Sequence, residues 1–292
     1  MDVLILKPAV VCILFYITCF GLGELGRKIV SRFFQPASYP YIFLIEAIGT
    51  LQMCTCVYEN GLMVKNYGPM GFFFTVTSLL CFANSWNRGA FVSPLAPFEM
   101  FFYKSINLGK FLAVVFGQIL GGGYAFFSAK LLWYYTKNYS EEHQFALETF
   151  EKCVFNFKVS YVFVLLFEAI GCFCIRFIIS KLPEKSKSFA IPITVAGFLT
   201  LGIVYIGVGG LNPTVAGSRL FGCSGLDTLW FAITYWIAPL IGWMSAAHLI
   251  HTGLLKSGGK RSKSSRKPST VLKDNKSNNN KSSKKGKKKK EN

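Results

Sequence analysis

Seven long apolar runs constrain this chain more than any other feature: 3–22, 41–58, 70–87, 108–134, 158–180, 189–209 and 228–254. A helix of roughly 20 mostly apolar residues crosses the hydrocarbon core of a bilayer, and the runs are of that order. A soluble globule would instead show amphipathic stripes. The expected fold class is therefore an all-α multi-pass membrane protein, with the lipid bilayer as its first partner. Charge is very unevenly spread. The chain has 32 Lys and Arg against 14 Asp and Glu, a net +18. Residues 256–292 alone hold 15 Lys and Arg against Asp274 and Glu291, a net +13. An apolar body with a basic appendage excludes a uniformly basic nucleic-acid-binding domain, and no nucleic-acid partner is expected.

The nine cysteines do not suggest a disulfide framework. Cys12, Cys19, Cys54, Cys56, Cys81, Cys172 and Cys174 lie in apolar runs, where Cys acts as a small buried hydrophobe. Cys153 and Cys223 fall in loops or half-buried segments. Neither Cys54/Cys56 nor Cys172/Cys174 has zinc-knuckle spacing, and His248 and His251 lack a nearby carboxylate, so no metal or other cofactor is expected.

The first run has no basic n-region and no small-residue cleavage site before 23–28, and reads as a retained helix or signal anchor. Loop charges set orientation. Arg27, Lys28 and Arg32 follow the first run, Arg88, Lys104 and Lys110 the third, and Arg176, Lys181, Lys185 and Lys187 the fifth, with the basic tail after the seventh. The loops between are neutral or acidic: Glu59 and Lys65 in one, Glu141, Glu142, Glu148 and Glu151 in another. This alternation places the amino terminus outside and the tail in the cytosol. Asn138-Tyr139-Ser140, in the acidic loop, is a glycosylation sequon on the reachable side, whereas the sequons at Asn275 and Asn280 fall in the tail.

Residues 44–49 read Leu-Ile-Glu-Ala-Ile-Gly and residues 166–171 Leu-Phe-Glu-Ala-Ile-Gly. A carboxylate inside a membrane helix costs about 2.5–3.5 kcal/mol on insertion scales, so Glu46 and Glu168 in matching contexts require a reason. At similar distances downstream stand Ser93-Pro94 and Asn212-Pro213. Three apolar runs per half make the second copy inverted relative to the first, an architecture of transporters and channels. Ser93 and Asn212 suit N-caps, and Pro94 and Pro213 the first helical position. Short helices are expected over about 94–105 and 213–222. Their positive ends would meet near mid-membrane, with Glu46 and Glu168 accepting hydrogen bonds from the loop N–H groups. The alternative is that both X-Pro sites are ordinary surface turns.

These residues resemble the aquaporin family. The resemblance rests on Glu-x-x-Gly in the second and fifth runs, the Asn212-Pro213-Thr214 loop, and Tyr235-Trp236-Ile237-Ala238-Pro239-Leu240-Ile241-Gly242. It covers about 41–254 and is closest to the unorthodox superaquaporin branch: residues 43–62 are similar to that branch's first core helix, and Cys223 stands where the branch carries a signature cysteine. The resemblance implies an inverted repeat of six transmembrane helices plus two re-entrant half-helices, its halves at about 41–134 and 158–254. Residues 1–40 then form an extra hydrophobic helix with a basic linker, and 255–292 a basic cytosolic tail. It also implies a homotetramer with one pore per subunit.

The paired Asn-Pro-Ala boxes of that family correspond here to Ser93-Pro94-Leu95 and Asn212-Pro213-Thr214. In an orthodox pore both amides donate to passing water and interrupt a proton wire. Ser93 offers only a short, rotating hydroxyl. The selectivity arginine is replaced by Val215, with Arg219 one turn on as a partial substitute; the alternative for Arg219 is an ion pair or a packing role. The neighbouring filter positions fall near Phe73, Thr200 and Gly209. Gly209 and Val215 imply a wider, less polar constriction, passing water with small neutral solutes such as glycerol or hydrogen peroxide. The alternative is a non-conducting scaffold or adhesion protein. An intramembrane enzyme would need clustered His, Asp or Ser, which the apolar runs do not supply.

Residues 257–292 are mostly Ser, Asn, Gly and Lys and cannot supply a core. Their charge suits anionic cytosolic lipid. Lys289 and Lys290, followed by Glu291-Asn292, resemble the dilysine signal that returns membrane proteins to the endoplasmic reticulum.

Overall fold

A computed structural model describes residues 7–149 and 153–253. Contacts divide the chain at Leu255/Lys256, and the described residues belong to the first unit. The basic tail, with Lys289 and Lys290, lies outside the described residues.

The described residues are helical, apart from connecting segments and one isolated bridge between Val154 and Ser224. In order, the helices are α1 (Pro8–Phe33), α2 (Tyr39–Trp86), α3 (Leu95–Phe102), α4 (Leu108–Thr136), α5 (Glu141–Thr149), α6 (Tyr161–Lys181), α7 (Lys187–Leu201), α8 (Pro213–Leu220), α9 (Thr228–Ala232) and α10 (Ala238–His251). A π-helical turn, Gly202–Ile206, continues α7, and another, Ile233–Ile237, joins α9 to α10. Six of the resulting helices are long and apolar enough to cross a membrane, and the protein is an integral membrane protein. Large apolar side chains such as Ile17, Phe127 and Phe163 face outward, as hydrocarbon allows and water does not.

The 48 residues of α2 hold two of the seven runs. At 1.5 Å per residue a straight helix of that length would measure about 72 Å, more than twice the hydrocarbon thickness. Gly68 breaks it, with φ +65° and ψ −167°, a conformation that glycine adopts without steric cost, and Pro69 begins the second arm. The arms fold back on each other, for Gln52 donates to Asn87 across 3.2 Å.

Several charges sit differently from the loop reading. Arg27, Lys28 and Arg32 lie within α1 rather than after it, and Arg27 is fully buried. Glu59 lies inside α2, also fully buried, and accepts from Trp133 Nε1 (2.7 Å) while its other oxygen meets His143 Nε2 (2.9 Å). A buried carboxyl group is tolerated only when hydrogen-bond partners replace water, and for Glu59 these polar side chains do so.

Candidate functional site

Two carboxylates organise the centre. Glu46 on α2 accepts the backbone N–H groups of Phe91 (2.9 Å) and Val92 (2.6 Å), and also Gln118 Nε2 (2.9 Å). Glu168 on α6 accepts those of Gly210 (2.6 Å) and Leu211 (2.7 Å). Each thus holds the two N–H groups immediately before an X-Pro pair. The last residue of each loop is left-handed, Val92 at φ +57° and Leu211 at φ +52°. Such backbone is uncommon for any non-glycine residue and an outlier for β-branched Val92; it persists where surroundings over-determine it. The carboxylate clamps are that determination.

The packing repeats with the clamps. A Cβ on Gly121 of α4 would stand 2.3 Å from the Ala47 carbonyl oxygen, and one on Gly242 of α10 would stand 1.9 Å from that of Ala169. Ala47 and Ala169 each follow a clamping glutamate, so both glutamates ride on helices packed at backbone distance. Small residues permit that approach in membrane helices.

The two short helices begin differently. Asn212 Oδ1 accepts from the N–H groups of Thr214 (3.0 Å) and Val215 (3.4 Å), capping α8, and Pro213 occupies the first helical position. Asn212 Nδ2 donates to the Val92 carbonyl (3.0 Å), joining the two loops. Ser93 does not cap α3: that helix starts at Leu95 after Pro94, without a side-chain cap. The N-cap position falls on Pro94, so Ser93 stands one residue too early for its hydroxyl to cap. The Leu211 carbonyl, related to Val92 by the repeat, instead receives the Cys172 thiol (3.4 Å). Both helices are shorter than the sequence suggests, ending at Phe102 and Leu220.

Gln118 escaped sequence reasoning, because a single Gln in an apolar run gives no signal. It donates to Glu46 and accepts from Thr214 Oγ1 (3.1 Å), joining the first clamp to the second box. A cavity of about 310 Å³ beside it is lined by Pro94, Gln118, Thr214, Gly217 and Ser218 among others.

The positions assigned to selectivity fall in different packing clusters. Phe73 packs in the seam between α2 and α7, near Val76 and Ala196, and Val215 packs against the core shared by α1, α2 and α4. Thr200 donates its hydroxyl to the Ala196 carbonyl (2.7 Å), and Gly209 lies back to back with Gly202. The Arg219 charge has the phenols of Tyr58 and Tyr235 as neighbours; those hydroxyls donate to the carbonyls of Ser218 and Val208.

Cys153 and Cys223 form a disulfide. The two cysteines outside the apolar runs are thus the pair that bonds; they lie 70 residues apart, and spacing carries no information on such a pair. Around it, Phe155 N donates to Ser224 O (2.9 Å) and Ser224 N to Cys153 O (3.1 Å). Lys158 Nζ donates to the carbonyls of Ile203 and Val204 (3.0 Å each) in the first π-helical turn. Asn138, in the connection from α4 to α5, is exposed, while Ser140 is buried and accepts from His143 N (3.3 Å) at the start of α5.

No family model matches the chain. Individual proteins do. It is 36% identical over 261 residues to the "Putative aquaporin-10" of Caenorhabditis elegans, covering 89% of this chain and 93% of that protein. It is 27% identical over 245 residues to the "Putative aquaporin-12A" of Homo sapiens, covering 82% and 79%. It is 22% identical over 247 residues to aquaporin-11 of Milnesium tardigradum, covering 82% and 87%. With two carboxylate-held loops joined through an Asn-Pro element, and with this likeness over nearly its whole length, the chain belongs to the aquaporin family and resembles its unorthodox branch.

Proposed function

We propose that the protein conducts water, together with small neutral solutes such as glycerol and hydrogen peroxide, passively across an intracellular membrane. The observation that supports this most is the Asn212 amide, held between its own helix and the Val92 carbonyl. A carboxamide has two N–H donors, and one bound to Val92 leaves one for a passing oxygen. In this reading α3 and α8 are re-entrant half-helices whose positive ends meet at the boxes, the halves 41–134 and 158–254 are inverted copies, and α1 is additional to the channel core. The dipoles orient water about Asn212 and interrupt a proton wire. Ser93 contributes a hydroxyl where orthodox members have a second amide, and Val215 and Gly209 leave the constriction broad, with Arg219 as its cation.

The working unit is a homotetramer with one pore per subunit. Cys153 and Asn138 both lie between the long helices α4 and α6, and in this reading they belong on an oxidising, lumenal side, which leaves the tail in the cytosol where Lys289 and Lys290 act in retrieval. Glycosidase sensitivity of Asn138 and loss of reticular residence on changing both lysines to Ser test these placements. The function itself is tested by stopped-flow swelling of proteoliposomes, solute by solute: flux above empty vesicles is expected for water, and no flux for any of these solutes would overturn the reading in favour of a scaffold.

A further inference from the structure

Three charged side chains where α1 meets α2 are unexplained by anchoring. Arg27 is fully buried; its Nε contacts Glu24 (3.2 Å), and its Nη1 donates to Gln52 Oε1 (2.9 Å) and Asn87 Oδ1 (3.5 Å). Its Nη2 is buried without a partner among the described residues. Arg88, next to Asn87 in the chain, reaches α1 as well, donating to Glu24 Oε1 (2.7 Å), the Arg27 carbonyl (3.2 Å) and Ser31 Oγ (2.6 Å). The approach is close, since a Cβ on Gly23 would stand 2.2 Å from Gln52 Oε1. Burying the Arg27 guanidinium is expensive, and a helix held only for anchorage packs at least as well through apolar contacts. What the polar node supplies is one fixed arrangement of its partners.

Two members of the node, Asn87 and Arg88, are the first residues of the loop leading to Ser93. Arg88 (φ +48°), Gly89 (φ +83°) and Val92 (φ +57°) are left-handed, so the loop is tightly coiled and, at two non-glycine positions, strained. Its far end is held by Glu46 through Phe91 and Val92, and its near end is held by α1 through Asn87 and Arg88. The Val92 carbonyl that this loop presents is the acceptor of Asn212.

We infer that α1 is part of the permeation apparatus, with Glu24, Arg27 and Arg88 acting as positioning residues that hold the loop of residues 87–92 in the coiled form that presents the Val92 carbonyl and Ser93 to Asn212. The inference rests on the channel reading for its consequence, though not for its geometry. It also gives Arg27 and Arg88, two of the basic residues after the first and third runs, a mechanical role.

The test uses the full chain in proteoliposomes and a graded series: Ser31→Ala, which removes one acceptor of Arg88, then Glu24→Gln, then Arg88→Ala. Amide hydrogen exchange over residues 87–93 is expected to rise in that order. Water flux per folded molecule should fall in the same order, about twofold for the first and at least fivefold for the last, while exchange in α6 and α10 stays at the wild-type level. A purely structural role predicts no such rank order between loop exchange and flux. Unchanged loop exchange in Arg88→Ala overturns the inference, as does a loosened loop with unaltered flux. If Arg88→Ala does not fold, the two milder variants decide by the same comparison. A wild-type protein that passes no water defeats the channel reading, and the exchange data alone then decide whether α1 holds the loop.

Discussion

Asn212 spans the junction of two loops, its Nδ2 donating to the carbonyl of Val92 at 3.0 Å, 120 residues away in sequence. The oxygen of the same carboxamide caps α8. One side chain therefore ties the first loop to the second and starts the second short helix, and the repeat makes no equal provision at Ser93. The departure from symmetry is chemical rather than architectural: the carboxylate clamps, left-handed loop ends and close glycine contacts occur in both halves, and the amide in one.

Asn212→Asp separates the two tasks. The aspartate keeps an acceptor for Thr214 N and places negative charge at a helix start, which favours the cap. It turns an oxygen toward the Val92 carbonyl where a donor had been. The variant is expected to fold and to lose water flux at least tenfold, read by stopped-flow swelling. Asn212→Ala should lose the flux and the cap together, the cap at a cost of about 1 kcal/mol seen as a lower Tm. Wild-type flux in Asn212→Asp would remove this amide from the path.

Glu168→Gln replaces one of two acceptor oxygens by an NH₂ group facing a backbone N–H. Either Gly210 or Leu211 then has a buried donor without a partner, costing about 1–3 kcal/mol. Thermal melting of the detergent-solubilised protein should show this as a clear fall in Tm. Glu148→Gln, at an exposed position of α5, is the comparison, expected within about 0.5 kcal/mol of wild type. Equal melting of the two variants would contradict the clamp.

How much of this was legible depended on whether a residue violates a local rule. Glu46 and Glu168 stand out because a carboxylate in an apolar run is expensive, and Asn212-Pro213 because it reads as a helix start. Arg27 and Arg88 break no local rule: a basic residue near the end of an apolar run reads as a loop charge, and only the packing of α1 shows it buried or paired across helices. Gln118 is ordinary until Glu46 and Thr214 are seen on either side of it. Ser93 misled in the other direction, since its residue type favours a cap that the chain does not form. Partners distant in sequence leave no mark on local composition.

Glycines 121 and 242 should be intolerant of even one methyl group. The added carbon meets a backbone carbonyl in each case, at 2.3 and 1.9 Å, and backbone cannot turn aside as a side chain can. Overpacking costs roughly 1–3 kcal/mol where neighbours adjust, and here two helices must separate. Gly121→Ala and Gly242→Ala are expected to lower the yield of monodisperse protein on size exclusion. Gly61→Ala has open space within 4 Å and gains helix propensity, so its yield and Tm should match or exceed wild type.

The Cys153–Cys223 disulfide closes 70 residues of chain, which include α6, α7 and α8. In the chain-entropy account a loop of that size stabilises by roughly 3–5 kcal/mol, and removal should lower Tm accordingly. The decisive feature is non-additivity. Cys153→Ser and Cys223→Ser each break the same bond, so the double variant should melt no lower than the less stable single one, whereas independent packing contributions would sum. Reductant should lower the Tm of the wild type and leave the double variant unmoved. Under denaturing conditions the wild type should expose two more maleimide-reactive thiols after reduction than before. An unchanged thiol count would show these cysteines to be unpaired.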